Sequence, residues 1–290
     1  MNAFDFAAPK SVDEVLALLK GRNGEVALLA GGSDLIAQLK EGRRKIQLMV
    51  DVKKIPELTA LKFDAKSGLT IGSAVSCSSI YHHADVQKHY PALVDGTSLI
   101  GSVQIQNRAS IGGNFCNASP AADSPPAVIV LGGVCQIAGP KGRREIPAEQ
   151  FFKGPGKNAL ESGEILVSIH LPAPKAQSGA FSLRFIPRNE MDIAVANAAA
   201  YVELSADHKT IVTARIAIGA VAPTPLLVTA AGSALSDKTI SEEVIEAAAA
   251  ASRAAAKPIS DMRGTIEQRI HLAGVLTKRA INGAILRAKE

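Results

Sequence analysis

Small and polar residues crowd into residues 109–126 as nowhere else in this chain, in the order A-S-I-G-G-N-F-C-N-A-S-P-A-A-D-S-P-P. The adjacent Gly112 and Gly113 allow positive φ and let the backbone lie close to another molecule. Asn114, Asn117 and Ser119 add short hydrogen-bonding side chains. Asp123 then precedes Ser124, Pro125, Pro126 and an apolar run. That order predicts a helix start with Asp or Ser as cap and Pro in the first turn. A hydrophobic core has little use for such a run, whereas a ligand rich in acceptors does.

A second Gly-Gly pair stands at L-A-G-G-S-D-L, residues 29–35. The apolar residues 25–30 predict a strand leading in, and residues 35–40 a short helix leading out. Backbone N–H groups at such a turn point outward, and a helix start favours negative charge. The turn therefore suits a phosphate or pyrophosphate. Neither pair fits G-x-G-x-x-G or G-x-x-x-x-G-K-[ST], which argues against a Rossmann dinucleotide site and a P-loop. Either pair alone also reads as a plain tight turn. Together, each flanked by Ser, Asn or Asp, they favour one extended ligand touching both.

Composition narrows the class. A chain of 290 residues suits one large domain or two to three smaller ones, and 47% hydrophobic with 20% charged residues is ordinary for a globular protein. No apolar run reaches the ~20 residues of a membrane helix. The start M-N-A-F-D lacks a basic region followed by an apolar one, so a cytoplasmic protein is expected. Cys77, Cys116 and Cys135 lie far apart with no C-x-x-C. This argues against a zinc site, a cluster held by this chain or a disulfide framework, and leaves three packed thiols. The net charge of +5 is spread out, with only short clusters at Arg43-Arg44-Lys45 and at 141–144. With no Trp and three Tyr to stack bases, nucleic acid is disfavoured, and an anionic ligand or acidic partner surface fits better. His82, His83 and His89 read as surface residues, and no nucleophile–base constellation is visible.

Three regions emerge along the chain. In the first, a short strand begins at Phe4 and Phe6, S-V-D-E at 11–14 is a capping-box pattern, and Val12, Val15, Leu16 and Leu19 recur at helical spacing. Gly21 and Gly24 close that helix, and a strand over 46–51 completes a small α/β unit ending near residue 55. The second region predicts strands at 68–72, 134–138 and 164–171 and helices at 76–86, 91–102 and 148–152. Pro172 and Pro174 mark its end. The third predicts strands at 180–187, 196–204 and 210–219, a helix at 224–234, a capping box T-I-S-E at 239–242 opening an alanine-rich helix, and a final helix with Ile266, Ile270, Ala273, Ala280 and Ala284 on one face. Strands followed by helices suggest an α+β domain.

The pairing of A-G-G-S-D-L (30–35) with R-A-S-I-G-G-N-F-C-N-A-S-P-A-A-D (108–123) resembles the FAD-binding medium subunit of molybdenum hydroxylases, the carbon monoxide dehydrogenase and xanthine dehydrogenase family. The likeness covers nearly the whole chain. Residues 104–108 resemble the lead-in to the second motif, R-N-E-M-D-I-A (188–194) the start of the family's C-terminal domain, and S-D-M-R (260–263) with Gln268-Arg269 its closing pattern. Ser33 replaces a frequent Thr and keeps the hydroxyl, and Phe115-Cys116 stands where small aliphatics are common. No cysteine-rich insertion is present, which excludes the variant that carries its own iron–sulfur cluster.

The resemblance implies an α+β fold. Two α/β FAD-binding subdomains of vanillyl-alcohol-oxidase (PCMH) type would span 1–55 and 56–175, and a C-terminal α+β domain with a three-stranded antiparallel sheet and helices would span 176–290. It implies that Leu29, Ala30, Gly31, Gly32, Ser33, Asp34, Leu35 and Ile36 wrap the pyrophosphate of FAD with backbone donors. Ser110, Ile111, Gly112, Gly113 and Asn114 would do so from the other side. Asp123 would bond the ribityl or ribose part, Ile100 and Leu166 would pack on the cofactor, and Arg184 would stand near the flavin ring. There its charge would stabilise the reduced anion and raise the potential. Each also has a plainer reading: Ile100 and Leu166 as core, Asp123 as a helix cap, Arg184 as a solvated strand residue. Asp192 reads as a turn or cap residue. The implied partners are a large subunit with the molybdenum cofactor and a small subunit with [2Fe-2S] clusters, in a dimer of heterotrimers. Electrons would pass through FAD to NAD+, a quinone or another external acceptor. A stand-alone flavin oxidoreductase, an assembly subunit that has lost FAD, and a nucleotide-binding module outside redox chemistry are the alternatives.

Overall fold

Ser11 opens the first helix as its spacing predicts: its Oγ accepts from the Glu14 N–H at 3.2 Å. The Glu14 carboxylate reaches one residue further back than a capping box requires, to the Lys10 N–H at 2.8 Å. The helix Val12–Leu19 turns Val12 and Val15 inward, and Gly21 and Gly24, both at positive φ, lead the chain away from it. These elements belong to a computed structural model that describes residues 2–22 and 24–290.

Among the described residues the chain builds three main sheets in succession. The first is parallel, with Leu48–Asp51 between Asp5–Ala7 and Val26–Leu29. The second is antiparallel, in the order Leu61–Asp64, Gly68–Gly72, Ile165–Leu171, Val134–Gly139, Gly142–Pro147. Its central strand Ile165–Leu171 arrives from far along the chain and is buried at every position but His170. The third sheet is antiparallel, with Ser178–Phe185, Ala196–Leu204 and Thr210–Gly219 side by side. The helices Glu242–Ala255 and Ile266–Lys289 accompany it. The long helix lies across the first two of these strands, and buried alanines on both sides (Ala198, Ala200, Ala273, Ala280, Ala284) keep the layers close.

Several local expectations are corrected. The C-terminal sheet holds five strands rather than three, because two-residue strands Leu226–Leu227 and Lys238–Thr239 pair with Thr210–Gly219. Such fragments are too short to show alternation. Residues 76–86 form two helices, Cys77–Tyr81 and Ala84–His89, separated at His82 and His83. The helix from Pro91 stops at Thr97, short of 102. The helix expected from 224 begins at Thr229, behind one of the two-residue strands. At 239–242 the cap is Ser241, whose Oγ accepts from the Val244 N–H, so Thr239 is free to pair in the sheet. The strand Gly142–Pro147 carries no apolar alternation in the sequence, because Arg143, Arg144 and Glu145 give it a polar edge.

Among the described residues, three acid–arginine pairs tie the last sheet and helix to the rest: Asp95–Arg287, Asp123–Arg184 and Glu149–Arg215. All three acids precede the third sheet and all three arginines lie within it or on the final helix. Asp95 is the most fully engaged. Its carboxylate accepts from both Arg287 nitrogens, at 2.6 and 3.0 Å, and from the Ser182 N–H at 3.1 Å. Asp95→Ala is expected to lower unfolding free energy by about 2 kcal/mol, since it leaves the largely buried Arg287 guanidinium with only the Ala180 carbonyl as acceptor. Urea unfolding in a double-mutant cycle with Arg287→Met measures this, and a coupling near zero contradicts it.

Candidate functional site

The strand Val26–Leu29 ends at the first Gly-Gly pair, and there the chain turns sharply. Gly32 takes φ +81°, a conformation that L side chains rarely adopt. Gly31 serves a different need. A Cβ at Gly31 would stand 2.5 Å from the Arg108 carbonyl oxygen and 2.7 Å from the Ala109 Cα. The two glycine-bearing stretches, about eighty residues apart in sequence, thus meet backbone to backbone at this residue. Helix Leu35–Lys40 starts only with the bond from the Ile36 N–H to the Gly32 carbonyl at 3.0 Å. Among the described residues, the N–H groups of Gly31, Gly32, Ser33, Asp34 and Leu35 make no hydrogen bond within the chain.

The second Gly-Gly pair behaves differently from its expectation. Neither Gly112 nor Gly113 has positive φ. Both lie in the helix Ile111–Asn117, capped by Ser110. The Gly112 N–H donates to the Ser73 carbonyl at 3.0 Å, the Gly113 N–H to Ser110 Oγ at 3.1 Å and the Asn114 N–H to the Ser110 carbonyl at 3.0 Å. These three donors are therefore consumed inside the fold. What the second stretch offers a ligand is close approach: beyond its own neighbours, a Cβ at Gly113 would meet only Ser110 Oγ, at 3.1 Å. A Cβ at Gly112 would instead lie 2.4 Å from the Ser73 Cβ and carbonyl oxygen. The helix is held in place by Phe115, fully buried against Phe151 and Phe152 with ring centroids 5.7 and 5.1 Å away.

The two stretches face each other across a cleft with two arms of about 330 and 310 Å³, volumes within the range of small-molecule sites. Leu28, Ala30, Arg44, Gly113 and Cys116 line both arms. The first arm gathers the predicted Ala30, Gly31, Gly32, Ser33, Asp34, Leu35, Ile100, Ser110, Gly113 and Asn114. The second takes Gly112 and Leu166, the latter 4% exposed. Three predicted residues support the walls from behind. Leu29 and Ile36 pack with the small cluster of Ala27, Leu39, Ile46 and Met49, and Ile111 is fully buried in the main core. The Asn114 Oδ1 accepts from Ser124 Oγ at 2.6 Å, fastening the cleft wall to the next helix. Arg44, Gln38, Cys116 and Asn158 also line the cleft and were not among the expected site residues. Arg44 had one signal, its place in a basic cluster one short helix after the first glycine pair.

Asp123 and Arg184 line neither arm. They pair with each other, Arg184 Nη1 to Asp123 Oδ2 at 2.7 Å, with side chains only 12% and 6% exposed. The Asp123 side chain makes no capping bond, although the residue precedes the helix Ser124–Val130. Arg184 is not solvated: it stands on the strand Ser178–Phe185 with its side chain turned to Asp123 and buried. Burial pushes the Asp123 carboxyl up to about 6, against the pull of the guanidinium. Its Oδ1 and the Arg184 Nε have no partner in the chain, so each retains a bonding position for a further group. Burial also raises the Cys77 and Cys116 thiols to about 12 and the Cys135 thiol further, so all three stay protonated at neutral pH. Among the described residues, no cluster of His, Cys, Asp and Glu is arranged to hold a metal ion.

Residues 2–174 match the family of FAD binding domains in molybdopterin dehydrogenase, and residues 181–284 that of the CO dehydrogenase flavoprotein C-terminal domain. The chain is 34% identical over 281 residues to the carbon monoxide dehydrogenase medium chain of Hydrogenophaga pseudoflava, covering 97% of this chain and 96% of that one. It is 32% identical over 289 residues to the xanthine dehydrogenase FAD-binding subunit of Escherichia coli O157:H7, covering 98% of each. The solved structure of carbon monoxide dehydrogenase from Hydrogenophaga pseudoflava, in a form lacking the Mo-pyranopterin moiety of the molybdenum cofactor, superposes with a TM-score of 0.94 at 34% identity, covering 99% of this chain and 98% of that one.

Proposed function

This chain belongs to the FAD-binding subunits of the molybdenum hydroxylases, and on that premise we propose that it relays electrons from an iron–sulfur partner subunit to an external acceptor. The observation that carries the cofactor assignment is the wall of five unengaged N–H groups at 31–35, facing the bare backbone of Gly113 across the cleft. Unsatisfied donors of this kind match the oxygens of a pyrophosphate. The residues therefore fit FAD, whose bound ring system supplies reversible one- and two-electron transfer.

The chain's own residues bind and orient. Gly31 lets the two stretches touch, Gly32 turns the first so that its donors face the cleft, and Gly113 leaves room at the second. Ile100 and Leu166 provide apolar surface in the first and second arm. Asp123 and Arg184 hold the third sheet against the FAD-binding region, and the unpartnered Oδ1 and Nε are the atoms through which they would reach the cofactor. In this proposal residues 1–55 and 56–175 enclose FAD and 176–290 form the C-terminal domain.

The relatives' names, medium chain and FAD-binding subunit, support an assembly with other chains. The proposed partners are a large subunit carrying the molybdenum cofactor and a small subunit carrying [2Fe-2S] clusters, in a cytoplasmic dimer of heterotrimers. The proposed acceptor is NAD+, a quinone or another oxidant. Among the described residues, no helix is long and apolar enough to cross a membrane.

Purification of the native complex tests the proposal. The expected result is one FAD per copy of this chain, with co-purifying molybdenum and iron, and flavin that bleaches only after the iron–sulfur signals change when substrate is added. A yellow chain that purifies alone and oxidises a small substrate directly would replace this reading with a stand-alone oxidoreductase. A chain that stays colourless after incubation with FAD would mark a subunit that has lost its cofactor.

A further inference from the structure

Among the described residues, Arg44 is the one lysine or arginine that lines the cleft, and it lines both arms. A turn places it there. Gly42 takes φ +71° after the helix Leu35–Lys40, and the N–H groups of Arg43 and Arg44 both donate to the Gln38 carbonyl, at 3.0 and 3.3 Å. The chain thereby doubles back to Gln38, which itself lines the first arm. Arg43 is engaged with Glu41. The Arg44 guanidinium, among the described residues, makes no hydrogen bond or ion pair within the chain, although the Asp34 carboxylate lines the same arm.

The charge balance of the cleft explains why a cation is needed. A pyrophosphate brings negative charge to a wall whose N–H groups carry only partial positive charge, and Asp34 adds a negative charge of its own. An unpaired guanidinium at the junction of the two arms offsets both, with planar donors suited to phosphate oxygens. The geometry points to Arg44 as the counter-charge of the FAD pyrophosphate, the residue that retains the cofactor by closing over its phosphates. This inference rests on the assignment of the cleft to FAD.

Because Arg44 is exposed, its contribution is screened by salt, which separates it from a packing role. The test uses the full chain in the complex with which it purifies, stripped of flavin and titrated with FAD and with riboflavin, which has no pyrophosphate. Flavin fluorescence reports binding. Arg44→Ala is expected to weaken FAD about tenfold at low salt, with the difference fading towards ~1 M salt. Riboflavin affinity should be unchanged, and Arg44→Lys should keep most of the FAD affinity. Wild-type FAD affinity in Arg44→Ala at low salt overturns the inference. So does an equal, salt-independent loss of FAD and riboflavin, which would mark a structural role. Failure of the wild-type complex to take up FAD refutes the cofactor assignment itself, and Arg44 with it; uptake that ignores Arg44→Ala refutes Arg44 alone.

Discussion

Gly113→Val is expected to fold normally and lose its flavin, while Gly112→Val, one residue earlier, is expected to lose the fold. The two glycines are neighbours on one helical turn, yet their missing side chains face different things. A Cβ at Gly113 enters the cleft and meets only the Ser110 hydroxyl, at 3.1 Å, so a side chain there disturbs one cap bond, worth about 1 kcal/mol, and leaves the core untouched. Two further methyl groups then occupy the space proposed for the cofactor, and FAD affinity should fall at least about 100-fold, or roughly 3 kcal/mol. A Cβ at Gly112 instead lies 2.4 Å from the Ser73 Cβ and backbone oxygen, inside the fold where nothing can yield cheaply. Overpacking of this kind costs about 1–3 kcal/mol for a small excess and more for a branched side chain against backbone. Circular dichroism and urea midpoints report the fold, and flavin absorbance reports the cofactor. Full flavin content in folded Gly113→Val would remove this wall from the site.

The second large effect is a pH dependence of stability carried by Asp123. Its ordinary carboxyl value is 3.8, and burial raises it to about 6 in the folded chain despite the Arg184 ion pair. A raised folded value means that the folded state binds the proton more tightly than the unfolded one. The group's contribution is therefore fully present below about pH 4 and is lost as pH rises through about 6. Taken over that shift, the contribution is about 3 kcal/mol, and with only 12% of the side chain exposed, solvent screening reduces it little. Asp123→Asn lacks this titration. Its unfolding free energy, measured against wild type from pH 4 to 7, should therefore gain by up to about 3 kcal/mol as pH rises. A difference that does not vary with pH would show that the carboxyl titrates alike in both states. Arg184→Met removes the charge that favours the ionised form, so the buried carboxyl takes up a proton near pH 7, and the loss, read from urea midpoints, is expected to be about 1–3 kcal/mol.

Local chemistry was legible where one rule governed a segment. The strands Ala196–Leu204 and Thr210–Gly219 fall on their predicted bounds, since β-rich runs between polar turns leave no rival structure. The S-x-x-E spacing located the first helix, and Leu35–Lys40 matches its expected span. Prediction failed where a long-range partner decided the outcome. Thr239 reads as a cap but pairs with Thr210. Asp123 reads as a cap, yet Arg184 holds its carboxylate across 61 residues of sequence.

By itself the sequence marked two backbone segments as suited to a ligand, because two Gly-Gly pairs among Ser, Asn and Asp allow close approach to a molecule rich in acceptors. It also determined the family, since those two motifs occur together at a recognisable spacing. Only the tertiary structure decided what each glycine does. Gly31 admits the Arg108 backbone, Gly32 supplies a left-handed turn, Gly112 admits Ser73, and Gly113 borders the cleft. It decided too that the N–H groups of Gly112, Gly113 and Asn114 are consumed inside the fold, by the Ser73 carbonyl and by Ser110, whereas, among the described residues, those of 31–35 are not. The physical reason is that a glycine's dihedral freedom is a local property, whereas the atom that takes the place of its missing Cβ, and the acceptor that takes its N–H, arrive from elsewhere in the chain.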